Sequence, residues 1–478
     1  RMTQALGGRL QLPADANGAS IEVRLPLVLP EIATPDADSP VHSPEAPLLD
    51  QSCLLLDDDP IGALGTFEPS YWFEHNPYAE WYLNTIRIEG SPAAAHHRRV
   101  YGARPYDDFL DEWSAHAFDP NDWVDLFARA GARYVVPTTK HHDGITLWDA
   151  PGTRGRNTVA RGPRRDLVDE IARAVRGCGL RLGAYYSTGI DWHAAPGPPI
   201  GDDGGLEHLP HDERYARYVH SHLTDLIERY RPQVLWADID YPRAGRETDS
   251  EYSLVRVLER FYELAPEGVV NDRWGGAHWD FRTSEYEQGT EVHEDEFWQH
   301  TRGIGYSFGY NRVEDASTYL TAREAVRLLV DVVSRGGNLL LNVGPDEAGH
   351  IPELQRRCLE GMAQWMEVGH EAVHAARPAE GTVACGDAAP SAVGGSDGEH
   401  LPWVRWVAKD AALYALVDAA GEVALPATER VRTAVGDGAV LLDGGGAGTP
   451  VDATLVDGHV RAQLPALTRP GPQVLRLG

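Results

Sequence analysis

The sequence predicts an α/β fold: a (β/α)8-like barrel of the TIM type followed by a C-terminal antiparallel β-sandwich. From about residue 119, amphipathic helices with a 3.6-residue apolar period alternate with short apolar runs typical of buried strands. Polar loops follow these runs, as in parallel sheets closed into a barrel. Beyond about residue 376 the chain changes to Gly/Ala/Asp-rich loops between short strand-like runs, which indicates antiparallel sheets.

The helices of the predicted βα units are located by apolar periodicity and by start and stop residues. Asp119-Pro120 opens the first of them, and Gly131 supplies a residue suited to end it. The number of units favours a closed barrel over an open doubly wound sheet. The predicted helices and the strands after them are 119–130 with 133–139, 166–176 with 180–187, 211–230 with 234–238, 250–264 with 268–271, and 322–335 with 338–343; helix 352–369 closes the barrel.

Three domains are predicted from these changes in composition and hydrophobic pattern. Residues 1–66 form an atypical Pro/Asp/Ser-rich N-terminal segment with one predicted strand at 20–29. Residues 67–375 form the catalytic barrel. Residues 376–478 form the β-sandwich, with predicted strands at 403–407, 412–417 and 473–477.

The composition restricts the class of partner. The 478 residues carry 72 acidic against 43 basic side chains, a formal net charge of −29, which disfavours nucleic acid and anionic membranes. A homo-oligomer is compatible with the sequence. The four cysteines are scattered without zinc-like spacing, and no stretch reaches the length of a membrane span. We therefore expect a cytoplasmic protein, although the start at Arg1-Met2 leaves room for a leader that was removed.

Two carboxylates are the candidates for acid/base chemistry. Asp238 ends the apolar run Val234-Leu-Trp-Ala-Asp238, where barrel enzymes place functional residues. Glu285 follows among aromatic and polar neighbours and completes a pair if the fold brings the two together. A strand-end Asp is also a common helix cap or ion-pair partner, and a lone Glu is usually a solvated loop residue. Other carboxylates compete with Glu285 for the acid role: Asp240, Asp272, Asp280 and Glu287.

Aromatic and polar residues follow several predicted strands and would converge at one mouth of the barrel. Aromatic faces, histidines and an arginine around carboxylates suit a sugar, whose C–H faces stack on rings while its hydroxyls need donors and acceptors. The adjacent pair His141 and His142 could instead ligate a metal. Two adjacent histidines point in different directions and no third ligand accompanies them, so hydrogen bonding to a ligand is preferred.

Several long segments resemble the α-L-fucosidases of glycoside hydrolase family 29, in order, over roughly residues 70–375. They include Asn76-Pro-Tyr-Ala-Glu-Trp-Tyr82, Pro137-Thr-Thr-Lys-His-His-Asp-Gly144, Arg161-Gly-Pro-Arg-Arg-Asp-Leu-Val168, Val270-Asn-Asp-Arg-Trp274, His278-Trp-Asp-Phe-Arg-Thr-Ser-Glu285, Thr301-Arg-Gly-Ile-Gly-Tyr-Ser-Phe-Gly-Tyr-Asn-Arg312 and Ser334-Arg-Gly-Gly-Asn-Leu-Leu-Leu-Asn-Val-Gly-Pro345. The resemblance implies a retaining exo-glycosidase that uses no metal or organic cofactor and acts on a fucosylated glycan or glycoside.

By this resemblance Asp238 is the nucleophile and Glu285 the general acid/base. Retention predicts their carboxyl groups about 5–5.5 Å apart. Five residues match positions around fucose: His141, His142, Tyr185, Trp236 and Arg273. Glu80 and Trp81 match a loop that closes over the sugar.

The chain departs from the family pattern in two places. The expected first strand with its His-Trp-Gly motif is missing, and His42 and His75 are substitutes by residue type only. Trp298-Gln299 stands where close relatives tend to carry Trp-Glu. An active fucosidase is the first hypothesis, and a fucose-binding or catalytically inactive barrel is the alternative. A metal-dependent hydrolase built on the two histidines is a third and would be inhibited by chelators.

Overall fold

The protein is described by a computed structural model for residues 79–200, 209–246, 250–286, 297–312, 314–386, 402–436, 438–444 and 448–478. All of these residues belong to one compact unit. The predicted N-terminal segment 1–66, with its strand at 20–29, lies outside them, as do His42 and His75.

The described chain starts with short helices that carry Glu80 and Trp81. A 3₁₀ turn, Ala79–Trp81, continues into α1 (Tyr82–Thr85), and α2 (Pro92–Tyr101) and α3 (Asp107–Glu112) follow. The Asn84 side chain donates to the carbonyl of Ile200 at 2.7 Å and accepts from its N–H at 2.8 Å. This pair of bonds fixes the Glu80 segment against the loop that follows a central strand.

The main α/β region alternates helices with strands, as predicted. Its helices are α4 (Pro120–Arg129), α5 (Leu167–Gly177), α6 (Glu213–Tyr230), α7 (Arg243–Arg246), α8 (Leu254–Leu264), α9 (Ala322–Ser334) and α10 (Glu353–Val373). Its strands are β1 (Tyr134–Val135), β2 (Thr138–Lys140), β3 (Arg181–Ser187), β4 (Val234–Asp238), β5 (Val269–Val270), β6 (Arg282–Glu285), β7 (Trp298–Gly303) and β8 (Asn338–Asn342).

These strands pair in parallel within two sheets, which we call the first arc and the second arc. The first arc has the order β1-β3-β4-β5, with β2 also paired to β3. The second arc has the order β6-β7-β8. The prediction of a parallel α/β domain is confirmed by these pairings, while closure into eight strands stays a prediction.

Local sequence explains where the helices begin. The side chain of the residue just before each helix accepts hydrogen bonds from backbone N–H groups of the first turn, which have no partner inside the helix. Asp119 caps α4, whose first residue is Pro120. Thr321 and Glu324 form a reciprocal capping box at the start of α9. The remaining side-chain caps of these long helices are Asp166, Asp212 and Ser253.

Two details of the strand prediction were wrong. The single strand expected at 133–139 is two short strands, β1 and β2, separated at Pro137, which has no N–H to donate to a ladder. Strands β6 and β7 were not predicted. Their sequences, Arg-Thr-Ser-Glu and Trp-Gln-His-Thr-Arg-Gly, lack the apolar run by which the other strands were recognised.

The C-terminal region forms two antiparallel sheets, as predicted. One has the order β14-β13-β17-β11-β10-β9 and the other β12-β16-β15, and a single apolar cluster contains residues of both. The strands are β9 (Arg377–Pro378), β10 (Val404–Lys409), β11 (Ala412–Val417), β12 (Gly421–Pro426), β13 (Ala439–Leu441), β14 (Thr449–Pro450), β15 (Ala453–Val456), β16 (His459–Leu464) and β17 (Gln473–Leu477), with helix α11 (Glu429–Gly436) between β12 and β13.

A buried ion pair and a hydrogen bond join these sheets to the α/β region. Arg405 on β10 contacts Asp331 on α9 at 2.5 Å, and both side chains are buried. Tyr414 donates to Glu371 on α10 at 3.0 Å. The C-terminal sheets thus pack on the helices α9 and α10, on the outside of the parallel strands.

Candidate active site

Asp238 lies at the end of β4, a strand whose five residues are all buried. Its Oδ2 accepts a hydrogen bond from the Tyr185 hydroxyl at 2.9 Å. Its backbone carbonyl accepts from the N–H groups of Thr188 and Gly189 at 3.0 and 3.1 Å. A side chain at position 189 would place its Cβ 1.5 Å from the Ile239 carbonyl oxygen, so only glycine allows this close approach. The backbone at Asp238 is therefore held by the residues that directly follow β3, the neighbouring strand.

Glu285 ends β6 in the second arc and is brought to Asp238 by one arginine. The Nη1 of Arg273 donates to Asp238 Oδ1 at 2.9 Å, and its Nη2 donates to Glu285 Oε2. Its Nε donates to Thr283 Oγ1 at 3.3 Å. The two carboxylates are almost fully buried, and the planar guanidinium binds both in a fixed geometry. The structure thus brings together the two residues that the sequence proposed as a pair.

The charges of this group depend on one another. Burial acts to lower the pKa of Arg273, but the carboxylates of Glu285 and Asp238 outweigh it and raise that pKa above its usual value. Arg273 is therefore a permanent cation. Because an isolated anion is costly in a site with little water, this cation stabilises whichever of the two carboxyl groups is ionised.

A series of rings lines the site on the side of the first arc. Trp236 stacks on Tyr185 with ring centroids 5.6 Å apart, Tyr185 on His141 at 6.2 Å, and His141 on His142 at 4.2 Å. Trp81 meets His142 edge to face at 5.5 Å. The five predicted ring-bearing residues therefore form one continuous wall, beginning where Arg273 lies over Trp236 at 4.8 Å.

The orientation of His142 is set by Ser187 at the end of β3. The Ser187 hydroxyl donates to the carbonyl of Ile190 at 2.9 Å, so its oxygen accepts from His142 Nδ1 at 2.6 Å. A neutral His142 then carries its proton on Nδ1, and Nε2 is an acceptor. The backbone carbonyl of His142 also accepts from the Trp192 N–H at 2.8 Å.

A fully buried ion pair lies beneath the two histidines. Lys140 Nζ contacts Asp191 Oδ2 at 3.2 Å and donates to the Ile190 carbonyl at 3.0 Å. Burial would raise the pKa of Asp191, but Lys140 and the backbone N–H of Ala194 lower it. Burial lowers the pKa of Lys140, and Asp191 offsets this in part. The pair fixes the loop after β3, and with it Ser187.

Glu80 binds backbone rather than another side chain in its described contacts. It accepts from the N–H groups of Phe308 and Gly309 at 3.3 and 3.2 Å and is buried. Trp81, the other residue of the loop expected to close over the sugar, packs on His142 and on Trp192. The structure therefore places Trp81 at the ring wall and Glu80 behind a loop that follows β7.

The competing carboxylates have structural partners. Asp280 accepts from the Val270 N–H at 2.8 Å and from the Tyr262 hydroxyl at 2.7 Å. Asp272 accepts from the Thr283 hydroxyl at 2.7 Å. Asp240 Oδ2 lies 3.8 Å from Arg246 Nη1. Glu287 lies outside the described residues. Glu285 is therefore the carboxylate that shares an arginine with Asp238.

Five residues at the site had no role assigned from the sequence: Ser187, Asp191, Trp192, Gln299 and Lys140. All but Gln299 lie in the stretches at the ends of predicted strands that were expected to converge at the mouth, and Lys140, the only lysine before residue 409, directly follows the predicted strand 133–139. Gln299, noted only as a departure from relatives, accepts from Trp236 Nε1 at 2.9 Å and donates to the Tyr134 hydroxyl at 2.7 Å. It connects β7 of the second arc with β4 and β1 of the first arc.

In the described part of the chain, no three or more His, Cys, Asp or Glu side chains are grouped to hold a metal ion. No helix found there is long and apolar enough to cross a membrane.

Buried paired carboxylates at the ends of parallel strands, enclosed by aromatic rings, define a glycoside hydrolase. Comparison with known proteins specifies the family. A family model described as Alpha-L-fucosidase matches residues 64–371, and the chain belongs to this family, whose enzymes remove fucose. The predicted membership and the predicted enzyme class are confirmed.

Individual relatives support this assignment. The chain is 31% identical to an alpha-L-fucosidase of Dictyostelium discoideum over 315 residues, which are 64% of this chain and 67% of that protein. It is 33% identical to the tissue alpha-L-fucosidase of Rattus norvegicus over 283 residues, 57% of this chain and 59% of that one. The match therefore spans about three fifths to two thirds of these relatives. The crystal structure of Thermotoga maritima alpha-fucosidase in complex with fucose has a TM-score of 0.73 and 35% identity, covering 88% of this chain and 93% of that one.

Proposed function

We propose that this chain releases terminal α-L-fucose from glycosides or oligosaccharides with retention of configuration, with Asp238 as nucleophile and Glu285 as general acid and base. The observation that carries the proposal is the single guanidinium of Arg273 bound to both carboxylates. Retaining glycosidases need the two groups about 5–5.5 Å apart, and the contact of both carboxylates with one guanidinium supports a close approach of this kind.

The first step follows from this arrangement. Glu285, protonated, donates to the glycosidic oxygen while Asp238 attacks the anomeric carbon through an oxocarbenium-like transition state, and a covalent fucosyl-enzyme forms. The hydrogen bonds from Tyr185 and Arg273 hold the Asp238 carboxylate in one orientation. Pre-orientation of this kind lowers the entropic part of the barrier.

In the second step Glu285, now ionised, takes a proton from water, which attacks the anomeric carbon and releases fucose. The negative charge is on Asp238 before the first step and on Glu285 after it. Arg273 contacts both, so one cation neutralises one anion at each stage and the net charge of the buried site does not change.

The ring wall is proposed to bind fucose. His141, His142, Tyr185, Trp236 and Trp81 offer apolar faces for the C–H side of the sugar and polar edges for its hydroxyls. Glu80 would act through the backbone of Phe308 and Gly309, which it binds. The Thermotoga maritima relative was solved in complex with fucose, and this supports a fucosylated substrate for this chain.

We also propose that the two arcs belong to one closed (β/α)8-like barrel, with domain limits at 1–66, 67–375 and 376–478. The Gln299 contacts join strands of both arcs across the interior. An apolar cluster also contains residues from several strands of both arcs: Tyr134, Val136, Tyr185, Val234, Trp236, Val269, Phe281 and Leu340. Inward-facing side chains of alternate strands meet in layers in such barrels.

The test uses azide as an external nucleophile with 4-nitrophenyl α-L-fucoside as substrate. Asp238→Gly is expected to lose at least about a thousandfold in kcat and to give β-L-fucosyl azide when azide is added, because azide attacks directly. Glu285→Ala is expected to give α-L-fucosyl azide, because azide attacks the fucosyl-enzyme.

The control is Asp240→Asn, which neutralises a carboxylate two residues from Asp238 and should stay within about twofold of the parent. A folded parent that binds fucose without turnover would favour the binding-only alternative. Identical azide products from the two variants would refute the assigned roles.

A further inference from the structure

The residue that follows Glu285 has an unusual backbone conformation. Tyr286 has a φ of +46°, in the left-handed region that a bulky side chain rarely adopts. Strand β6 ends at Glu285, directly before this residue. Such a conformation persists only where surrounding contacts determine it.

The Tyr286 side chain makes these contacts with the residues after β7. Its hydroxyl donates to the carbonyl of Tyr306 at 2.7 Å and accepts from the N–H of Gly303 at 3.2 Å. Its ring meets Phe308 at 61° with centroids 5.3 Å apart. Its own N–H donates to the Thr301 carbonyl at 3.2 Å. One side chain thus joins the end of β6 to the segment 303–309, which we call the β7 loop.

The β7 loop is itself held by two buried glutamates. Glu314 accepts from the N–H groups of Tyr306 and Ser307, and Glu80 accepts from those of Phe308 and Gly309. Four consecutive backbone donors are thereby bound to carboxylates, and bonds of this charged type are stronger than neutral ones.

Glycines allow the close packing of this loop. A Cβ at position 305 would lie 2.4 Å from a carboxylate oxygen of Glu314. A Cβ at position 303 would lie 2.8 Å from the Ser307 carbonyl oxygen. The run Gly303-Ile-Gly305 is therefore required by the contacts of Glu314 and Tyr286, and the β7 loop offers Tyr286 a rigid partner.

We propose that Tyr286 is a positioning residue for Glu285: by bonding its hydroxyl to the β7 loop, it fixes the end of β6 and so the direction in which the Glu285 carboxyl meets the glycosidic oxygen. The inference rests on the proposed role of Glu285 as proton donor. Arg273 alone cannot supply this direction, because it contacts Glu285 from the side of Asp238. Proton transfer needs donor and acceptor within about 2.6–3.2 Å, so a small rotation of the carboxyl weakens it.

The test compares substrates that need protonation to different degrees. A fucosyl disaccharide leaves as a sugar alkoxide and depends on the proton donor, whereas 2-chloro-4-nitrophenyl α-L-fucoside leaves as a stable phenolate and depends on it little. Tyr286→Phe removes the hydroxyl and keeps the ring. We expect kcat/KM to fall about tenfold or more for the disaccharide and less than about twofold for the activated fucoside.

The matched control is Tyr230→Phe, which removes another hydroxyl bonded within the fold, that of Tyr230 to Asp166. Both substrates should then stay within about twofold of the parent. An equal loss on both substrates in Tyr286→Phe, or no loss on either, would overturn the proposal.

Glu285→Gln separates this inference from the function on which it rests. That variant should lose the disaccharide activity and keep much of the activity on the activated fucoside. If it does so while Tyr286→Phe matches the parent, Glu285 is the proton donor and Tyr286 does not position it. If Glu285→Gln shows no difference between the substrates, the proposed role of Glu285 is itself wrong.

Discussion

The two arcs of the parallel sheet hold their carboxylates in different ways. Asp238 ends a five-residue buried strand with paired strands on both sides, and its carbonyl is bound by the neighbouring turn. Glu285 ends a four-residue strand, two of whose residues are only partly buried, and is followed by a left-handed tyrosine. The proposed nucleophile is therefore fixed by backbone register, and the proposed proton donor by side-chain contacts that can be removed singly.

The largest effect on stability should come from the ion pair under the first arc. Asp191→Asn leaves the fully buried Lys140 without its counter-charge and should lower the free energy of unfolding by about 3–5 kcal/mol. Urea unfolding measures this. As control, Glu251→Gln removes an exposed pair with Arg217 and should have a much smaller effect. Equal losses in the two variants would contradict the special role of the buried pair.

The loss of unfolding free energy in Asp191→Asn should depend on pH. Because the pKa of Asp191 is lowered in the folded protein, its contribution is fully present above the unfolded pKa of about 3.9 and is lost as pH falls through the lowered value. The difference between parent and Asp191→Asn should therefore shrink below about pH 4. If the stability difference between parent and variant grew on acidification, the pKa of Asp191 would not be lowered in the folded protein.

The next largest effect should come from the residue that joins the arcs. Arg273→Ala removes the cation shared by Asp238 and Glu285 and should lower kcat/KM for an aryl fucoside by about 10²–10³. Arg273→Lys keeps the charge but not the planar fork, so it should recover only part of the loss. Full recovery by lysine would mean that charge alone, and not the double contact, matters.

A smaller effect is expected at the second link between the arcs. Gln299→Leu leaves the buried Trp236 N–H without its acceptor and should destabilise the protein by about 1–3 kcal/mol, measured by thermal or urea unfolding. Gln299→Glu keeps an acceptor for Trp236 and is the matched control. Equal stability of the leucine variant and the parent would show that this bond contributes nothing to joining the arcs.

Sequence alone predicted the first arc better than the second, for a physical reason. The strand at Asp238 could be recognised because its apolar run reflects burial on both faces. Strands β6 and β7 carry polar residues, since they contribute Glu285 and the Gln299 contacts, and so lack that signal. Glu285 was one of several candidate carboxylates, and its role as acid/base came from the resemblance to a family. The Tyr286 side chain contacts Gly303, Tyr306 and Phe308, which lie 17 to 22 residues further along the chain, and no local pattern predicts contacts at that separation.

The smallest predicted effect tests how far backbone register alone positions the first arc. Ser187 pairs with Asp238 in the ladder and also sets the His142 proton on Nδ1. Ser187→Ala keeps the strand and removes only the hydroxyl, so KM and the inhibition constant of free fucose should rise about two- to tenfold while kcat changes little. Ser187→Thr, which restores a hydroxyl, should recover part of the affinity. A fall in kcat with unchanged KM would mean that this hydroxyl supports Asp238 rather than the sugar, and the two arcs would then be more alike than their backbones indicate.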